Sequence, residues 1–211
     1  MSQTTQSLGN GQRKRASSRT PEAYDEPMST ATKSRVSEAE FLSLPESVER
    51  IELIDGEVIV SPSPLFWHQE VLGRLVFELR RWAEGRSGIT VAQAPLDVRF
   101  APGRILQPDA MVFLDTIDRQ EPGPITRVPE ICVEVLSVNR AYDRVTKRFV
   151  YGSAGVVEYW IIDPAGFVEV WSGPALARET SITDRLASPL LPDFALDVPK
   201  LFSEADRDPR R

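Results

Sequence analysis

The stretch Pro129-Glu130-Ile131-Cys132-Val133-Glu134-Val135-Leu136-Ser137 decides the fold. From Ile131 to Leu136 it is a nearly continuous apolar run, the pattern of a strand buried on both faces. Glu134 interrupts that run. A carboxylate in such a strand is costly unless it is paired, metal-bound or protonated. Cys132, inside the same strand, reads as a small hydrophobe. C-terminal to it a helix is expected over about 140–152, capped by Ser137 and Asn139 and ended by Gly152 and Gly155. That helix places Asp143 and Lys147 on one face. Val156 to Asp163 is a further β block, which turns at Pro164-Ala165-Gly166 and returns as Phe167 to Trp171, a hairpin. Residues at about 176–200 read as short edge strands.

N-terminal to the central run, two strands are expected at about 89–100 and 105–115, and a Pro-rich loop at about 116–129. Asp109 follows Pro108 inside the apolar run Ile105–Leu114. Before these, Ser63 as N-cap and Pro64 at the first helical position open a helix. Its Leu72, Leu75, Leu79 and Trp82 recur at helical spacing, to about Gly85. Asp55-Gly56 between Ile51–Ile54 and Glu57–Val60 is a hairpin signal, because the pair supplies the positive φ angles of a type I′ turn. A short helical stretch precedes it at Glu38–Leu42. The order predicts an α/β domain: a mixed β-sheet flanked by helices, with β-hairpins.

The chain has 211 residues, 41% of them hydrophobic, enough for one packed domain with tails. Its single Cys excludes a disulfide framework and a multi-Cys zinc site, and its single His excludes a His-rich metal site. No apolar run approaches the roughly 20 residues that span a bilayer, and the N-terminus lacks a signal-peptide core. The expected compartment is the cytoplasm, with no membrane partner. Residues 1–37 are polar, with six basic and three acidic residues, and are expected to be a disordered basic tail. Residues 38–203 form the expected domain and 204–211 a second tail. The overall charge of −6 leaves −9 for the rest of the chain once the tail's +3 is removed, which argues against coating nucleic acid by bulk charge.

Asp109 and Glu134 on successive core strands, followed by Lys147, suggest one shared site. Two carboxylates at one pocket suit Mg²⁺ (or Mn²⁺), which takes oxygen ligands and keeps waters and substrate phosphates. A nearby ammonium can orient the water or neutralise a phosphate. Singly, each residue has a simpler reading: Glu134 in a buried salt bridge with Lys147 or Arg148, Asp109 capping a strand end. Arg140, Arg144 and Arg148, with Lys147 and offset by Asp143, form the best local basic patch. They are the expected nucleic-acid contacts, against the alternative of a solvated helix face.

These motifs resemble the Uma-type restriction endonucleases, a bacterial branch of the PD-(D/E)XK nuclease superfamily. The resemblance spans about 40–200. It rests on Glu52-Leu53-Ile54-Asp55-Gly56-Glu57, Gln107-Pro108-Asp109 and the central stretch. It continues through Asp143-Arg144-Val145-Thr146-Lys147 with Tyr151 and through Ala154 to Pro164. It implies a restriction-endonuclease-like fold and a metal-dependent hydrolase of DNA phosphodiesters. Asp109 and Glu134 would be the metal-holding carboxylates. The superfamily's Lys stands two residues after the Glu, where this chain has Leu136, so Lys147 from the following helix takes that role. Glu52 and Glu57 match the family's amino-terminal acidic positions, either of which would complete the metal shell. His68 faces the apolar side of its helix and reads as a hydrogen-bonded buried His, with a role near the substrate implied by the family. Two rival readings stand beside the enzyme. One is a non-catalytic nucleic-acid-binding or regulatory protein that keeps the fold. The other is an interaction module whose hairpins make a homodimer.

Overall fold

A computed structural model describes residues 35–203 except 46, 48, 119, 121 and 137–139. The expected caps Ser137 and Asn139, most of the N-terminal tail and all of the C-terminal tail lie outside the described residues.

Arg35–Ser37 belong with the domain rather than the tail. The Val36 N–H donates to Gly56 O at 2.9 Å. Ser37 and Glu40 form a reciprocal capping box that starts α1 (Glu38–Leu42). The predicted hairpin is present as β1 (Arg50–Ile54) and β2 (Glu57–Ser61), with Asp55 and Gly56 both at positive φ. The next helix, α2 (Phe66–Ala83), starts later than Ser63-Pro64 suggested. Leu65 is its N-cap, without a side-chain cap bond.

The two long strands expected at 89–100 and 105–115 are four: β3 (Thr90–Gln93), β4 (Val98–Ala101), β5 (Arg104–Leu106) and β6 (Ala110–Phe113). The chain changes sheets between β3 and β4, and changes back between β5 and β6. Pro95 and Pro108 fall in these crossings, where a missing ladder donor costs nothing. Asp109 is therefore not inside a strand but at the crossing, immediately before β6. The β4–β5 pair joins the hairpin in a four-stranded antiparallel sheet ordered β2-β1-β5-β4.

The larger sheet adds β7 (Ile131–Val135), β8 (Glu158–Asp163), β9 (Phe167–Ser172) and β10 (Arg178–Ile182), in the order β10-β9-β8-β7-β6-β3. It is mixed as predicted, because β7 and β8 are parallel and the other pairs antiparallel. The parallel crossover carries the predicted helix. It is a π-helical segment, Tyr142–Lys147, running into α3 (Arg148–Ala154). Gly155 ends α3 at φ 93°, but Gly152 lies inside it. A Cβ there would meet the backbone of Ala175 at 2.8 Å, so Gly152 serves close packing rather than termination. The 176–200 region holds β10, the pair β11 (Arg185–Leu186) and β12 (Leu196–Asp197), and a short α4 (Val198–Phe202).

Alternation along β7 divides the core. Ile131, Val133 and Val135 pack with Leu72, Leu75 and Leu79 of α2. Cys132 and Leu136 face the opposite way, with Val150 and Tyr151 of α3 and with Ile54, Val98 and Leu106 of the smaller sheet. Tyr159 and Trp160 are fully buried, as expected of core aromatics. No described helix is long and apolar enough to cross a membrane.

Candidate active site

Strand register brings the two carboxylates together. β6 runs antiparallel to β7 with Ala110 opposite Val133, so Asp109 arrives beside Glu134. The Val135 N–H then donates to Asp109 Oδ2 at 2.8 Å. Both carboxylates are buried at 2% exposure. Glu134 Oε1 accepts from Lys147 Nζ at 2.8 Å and from the Tyr151 hydroxyl at 2.7 Å. Of the two partners considered for Glu134, the structure selects Lys147. Arg148 instead lies over the Trp171 ring, 4.0 Å from its centroid.

Glu52 joins them from the other sheet. Its carboxylate is fully buried, accepting from the Gln107 N–H at 2.8 Å and the Tyr142 hydroxyl at 3.0 Å. Lys147 Nζ is 3.4 Å from Glu52 Oε1 and 3.8 Å from Asp143 Oδ1. Glu57 is not part of this cluster: it is exposed at the turn end of β2, paired across the ladder with Ile54. His68 is buried, with Nε2 3.2 Å from Asp109 Oδ2. The hydrogen-bonded buried histidine and the histidine at the site are thus one residue.

Arg50 was not singled out from the sequence. Its Nη1 is 2.6 Å from Asp109 Oδ1, and its Nη2 lies 3.5 Å from Glu134 Oε2 and 3.6 Å from Glu52 Oε1. The available signal was parity. Arg50, Glu52 and Ile54 alternate with Ile51 and Leu53, so one strand face carries all three toward the space between the sheets. Tyr142 was missed for a simpler reason, since a tyrosine on a helix gives no polar signal.

Four carboxylates (Glu52, Asp109, Glu134, Asp143) thus face two permanent cations (Arg50, Lys147), an excess of two formal negative charges among the described residues with His68 counted as neutral. The titration of the group reflects it. Burial pushes Glu134 up to about 8 against the pull of Lys147, and the charges of Asp109 and Asp143 add to the rise. Burial and the neighbouring Asp109 and Glu52 likewise push Asp143 up to about 6, against Lys147. For Asp109, burial is outweighed by the His68 hydrogen bond and the Arg50 charge, which hold its carboxyl well below the usual range. Burial opposes the Lys147 charge, but Glu134 and Glu52 raise it. With Glu52 also in reach, Lys147 stays charged.

The cluster opens on a cavity of about 880 Å³ walled by Trp67, Leu65, Pro95 and Tyr142. Its donor set is all hard oxygen with net negative charge, which suits Mg²⁺ or Mn²⁺ held by two carboxylates and waters. The described residues contain no preformed cage of three or more His, Cys, Asp or Glu ligands. Two-carboxylate binding does not require one.

The basic patch is not free. Arg140 pairs with Asp163 at 3.2 Å, and Arg144 reaches Asp163 at 2.6 Å and Glu169 at 2.9 Å.

No curated protein matches the chain. Among solved structures, it is similar to one titled as a putative nuclease belonging to DUF820 from Anabaena variabilis ATCC 29413. The identity is 25% and the TM-score 0.67, with 79% of this chain and 97% of that chain covered. Residues 38–199 match the family model Uma2, described as "Putative restriction endonuclease". That span takes in every residue of the cluster from Arg50 to Lys147 and both sheets that hold it, and the chain belongs to the Uma2 restriction-endonuclease family.

Proposed function

We propose that this protein is a metal-dependent endonuclease that hydrolyses DNA phosphodiester bonds, with Mg²⁺ or Mn²⁺ as cofactor. The observation that carries the reading is the two-charge negative excess of a buried cluster opening on a cavity. A buried surplus of this kind is costly unless a cation or protons offset it. Asp109 and Glu134 would hold the metal, with Glu52 behind them. A bound divalent cation acidifies water and offsets charge on phosphoryl oxygens.

The chain's own groups supply the rest. Lys147 donates to Glu134 and is ion-paired with Glu52 and Asp143 at 3.4 and 3.8 Å, and an N–H not given to Glu134 can turn to an attacking water or a phosphate oxygen. Glu52 and Glu134 fix the ammonium from two sides, so it is aligned before substrate arrives. His68 Nε2–H donates to ionised Asp109, a pure acceptor, and with the Val135 N–H orients that carboxylate. The burial of Asp109, Glu134 and Lys147 strengthens these interactions. A non-catalytic nucleic-acid-binding protein is the lesser reading, because the helix expected to grip phosphates spends Arg140 and Arg144 on Asp163 and Glu169.

The test is cleavage of mixed linear and circular DNA, and of RNA, by the full chain with Mg²⁺ or Mn²⁺. Metal-dependent cleavage of DNA abolished by EDTA is expected. EDTA-resistant cleavage, or none with either metal, overturns the reading.

A further inference from the structure

We propose that Arg50 is the built-in counter-cation of this site, and that metal binding and withdrawal of Arg50 are a single exchange. The inference rests on the metal-dependent reading above and adds a residue that governs how the metal enters.

The fold has already used one oxygen of each carboxylate. Asp109 Oδ2 is fixed by the Val135 N–H and His68. Glu134 Oε1 is fixed by Lys147 and Tyr151. Each carboxylate keeps one other oxygen, and both of these turn to the same guanidinium. Among the described residues, Arg50 is the hydrogen-bond and ion-pair partner of Asp109 Oδ1, at 2.6 Å, and of Glu134 Oε2, at 3.5 Å. Arg50 bridges the gap between two metal-type ligands.

A divalent ion of the magnesium class sits about 2.0–2.1 Å from its oxygens. It would compete for the oxygens that Arg50 now faces, and repulsion between two cations in a buried pocket favours withdrawal of Arg50 as the metal enters. Two features allow that withdrawal. Its side chain is 23% exposed at the edge of the cavity, whereas Lys147 is 3% exposed. Its Nε is buried with no hydrogen bond among the described residues, so the guanidinium is not locked on all sides. Lys147, held by two carboxylates within the core, stays.

The exchange makes the metal-free protein stable at the expense of metal affinity. Removing the guanidinium should leave the carboxylates in place and the competition gone. Full-length wild type, Arg50→Met and Arg50→Lys are titrated with Mn²⁺ by calorimetry, and melted with and without it. Arg50→Met is expected to bind Mn²⁺ at least tenfold tighter than wild type. It should melt lower without metal and gain more on adding it. Arg50→Lys keeps one charge without the fork and should fall between the two.

Equal or weaker Mn²⁺ affinity in Arg50→Met, with wild type binding, overturns the exchange and leaves the metal-dependent reading standing. Absence of Mn²⁺ binding in both proteins overturns both. If Arg50→Met does not fold, the wild type decides. Mg²⁺ titration followed by the Arg50 Nε–Hε NMR signal should show that group shift and gain mobility in step with binding. A signal unmoved at saturating Mg²⁺ overturns the exchange.

Discussion

The segment between β7 and β8 touches two ion clusters that differ in one respect. Lys147 and Asp143 face the group around Glu134, where four carboxylates meet two cations. Arg140 and Arg144 face the other way, onto Asp163 and Glu169, where two cations meet two carboxylates. Both clusters have buried acids: Asp163 is 1% exposed and Glu169 4%, much like Glu134. Burial therefore does not separate a site from a brace. Charge balance does. The balanced cluster ties α3 and its π-helical lead-in to the β8–β9 hairpin. The unbalanced one opens on a cavity, where the proposed metal would offset its charge.

The largest effect is expected at Lys147. In the unbalanced cluster, Lys147→Met removes one of two cations and strands Glu134 and Glu52. Breaking a buried pair from one side costs about 3–5 kcal/mol. The melting temperature should fall sharply without metal and recover in part with Mn²⁺, and cleavage should be lost. Met keeps the aliphatic stem, so packing does not explain the loss. Unchanged melting with unchanged cleavage would remove Lys147 from the cluster's chemistry.

Glu134→Gln and Asp109→Asn act oppositely on stability. Each removes part of the negative excess, so metal-free melting should hold or rise for Glu134→Gln. Asp109→Asn should destabilise somewhat, because Arg50 and His68 lose an ionised partner. Cleavage should fall for both by on the order of 10²–10³ or more, the scale for deleting one electrostatic element of an active site. Assays at saturating metal separate lost affinity from lost chemistry.

The imbalance also sets a pH dependence. Glu134 is raised from an ordinary 4.5 to about 8, and Asp143 from 3.8 to about 6. The folded chain keeps protons that the unfolded chain has released, so this stabilisation is complete below the unfolded values and lost as pH rises through the folded ones. Asp109 works the other way, and its contribution is lost only as pH falls below its unfolded value. Metal-free melting should therefore decline from about pH 5 to about pH 8, and saturating Mg²⁺ should flatten the decline. A metal-free melting temperature that rises across this window would contradict the charge count.

The sequence displayed the unbalanced cluster unevenly. Glu134, Asp109 and Lys147 were legible because each breaks an apolar pattern or follows one at helical spacing. Glu52 entered only through the resemblance, on equal terms with Glu57. Its burial comes from β5 and the Gln107 crossing laid beside β1, a long-range packing that local pattern does not encode. Arg50 was hidden because a basic residue at a strand start reads as solvated, and only its parity with Glu52 pointed inward. The sheet changes at 94–97 and 107–109 were masked by apolar runs continuing through Pro95 and Pro108. The partners of the basic patch were not legible locally: Asp163 and Glu169, which pair with Arg140 and Arg144, come from β8 and β9, and Arg148 lies over the Trp171 ring of β9. The central mixed sheet, the hairpins and the long helix were visible because alternation, Asp-Gly and the Leu72–Trp82 spacing are local signals.

The smallest expected effect tests the balanced cluster. Arg144→Ala leaves Asp163 with Arg140 and leaves Glu169 with the Trp171 indole N–H, at 3.3 Å. Arg144 is itself 28% exposed, so solvent screens part of what is lost. The cost should be about 1–2 kcal/mol, between an exposed ion pair and a buried charge-assisted bond. The balanced cluster has no part in metal binding, so Mn²⁺ affinity and the rate of cleavage per folded molecule should match wild type. If Arg144 instead grips substrate phosphates, cleavage should fall, and the deficit against wild type should shrink as salt rises, because the variant releases one counterion fewer and has the shallower salt dependence. Measuring melting, Mn²⁺ affinity and cleavage at two salt concentrations separates these outcomes. A salt-dependent loss of cleavage with unchanged melting would make the second cluster a substrate contact, and charge balance would then no longer distinguish the two.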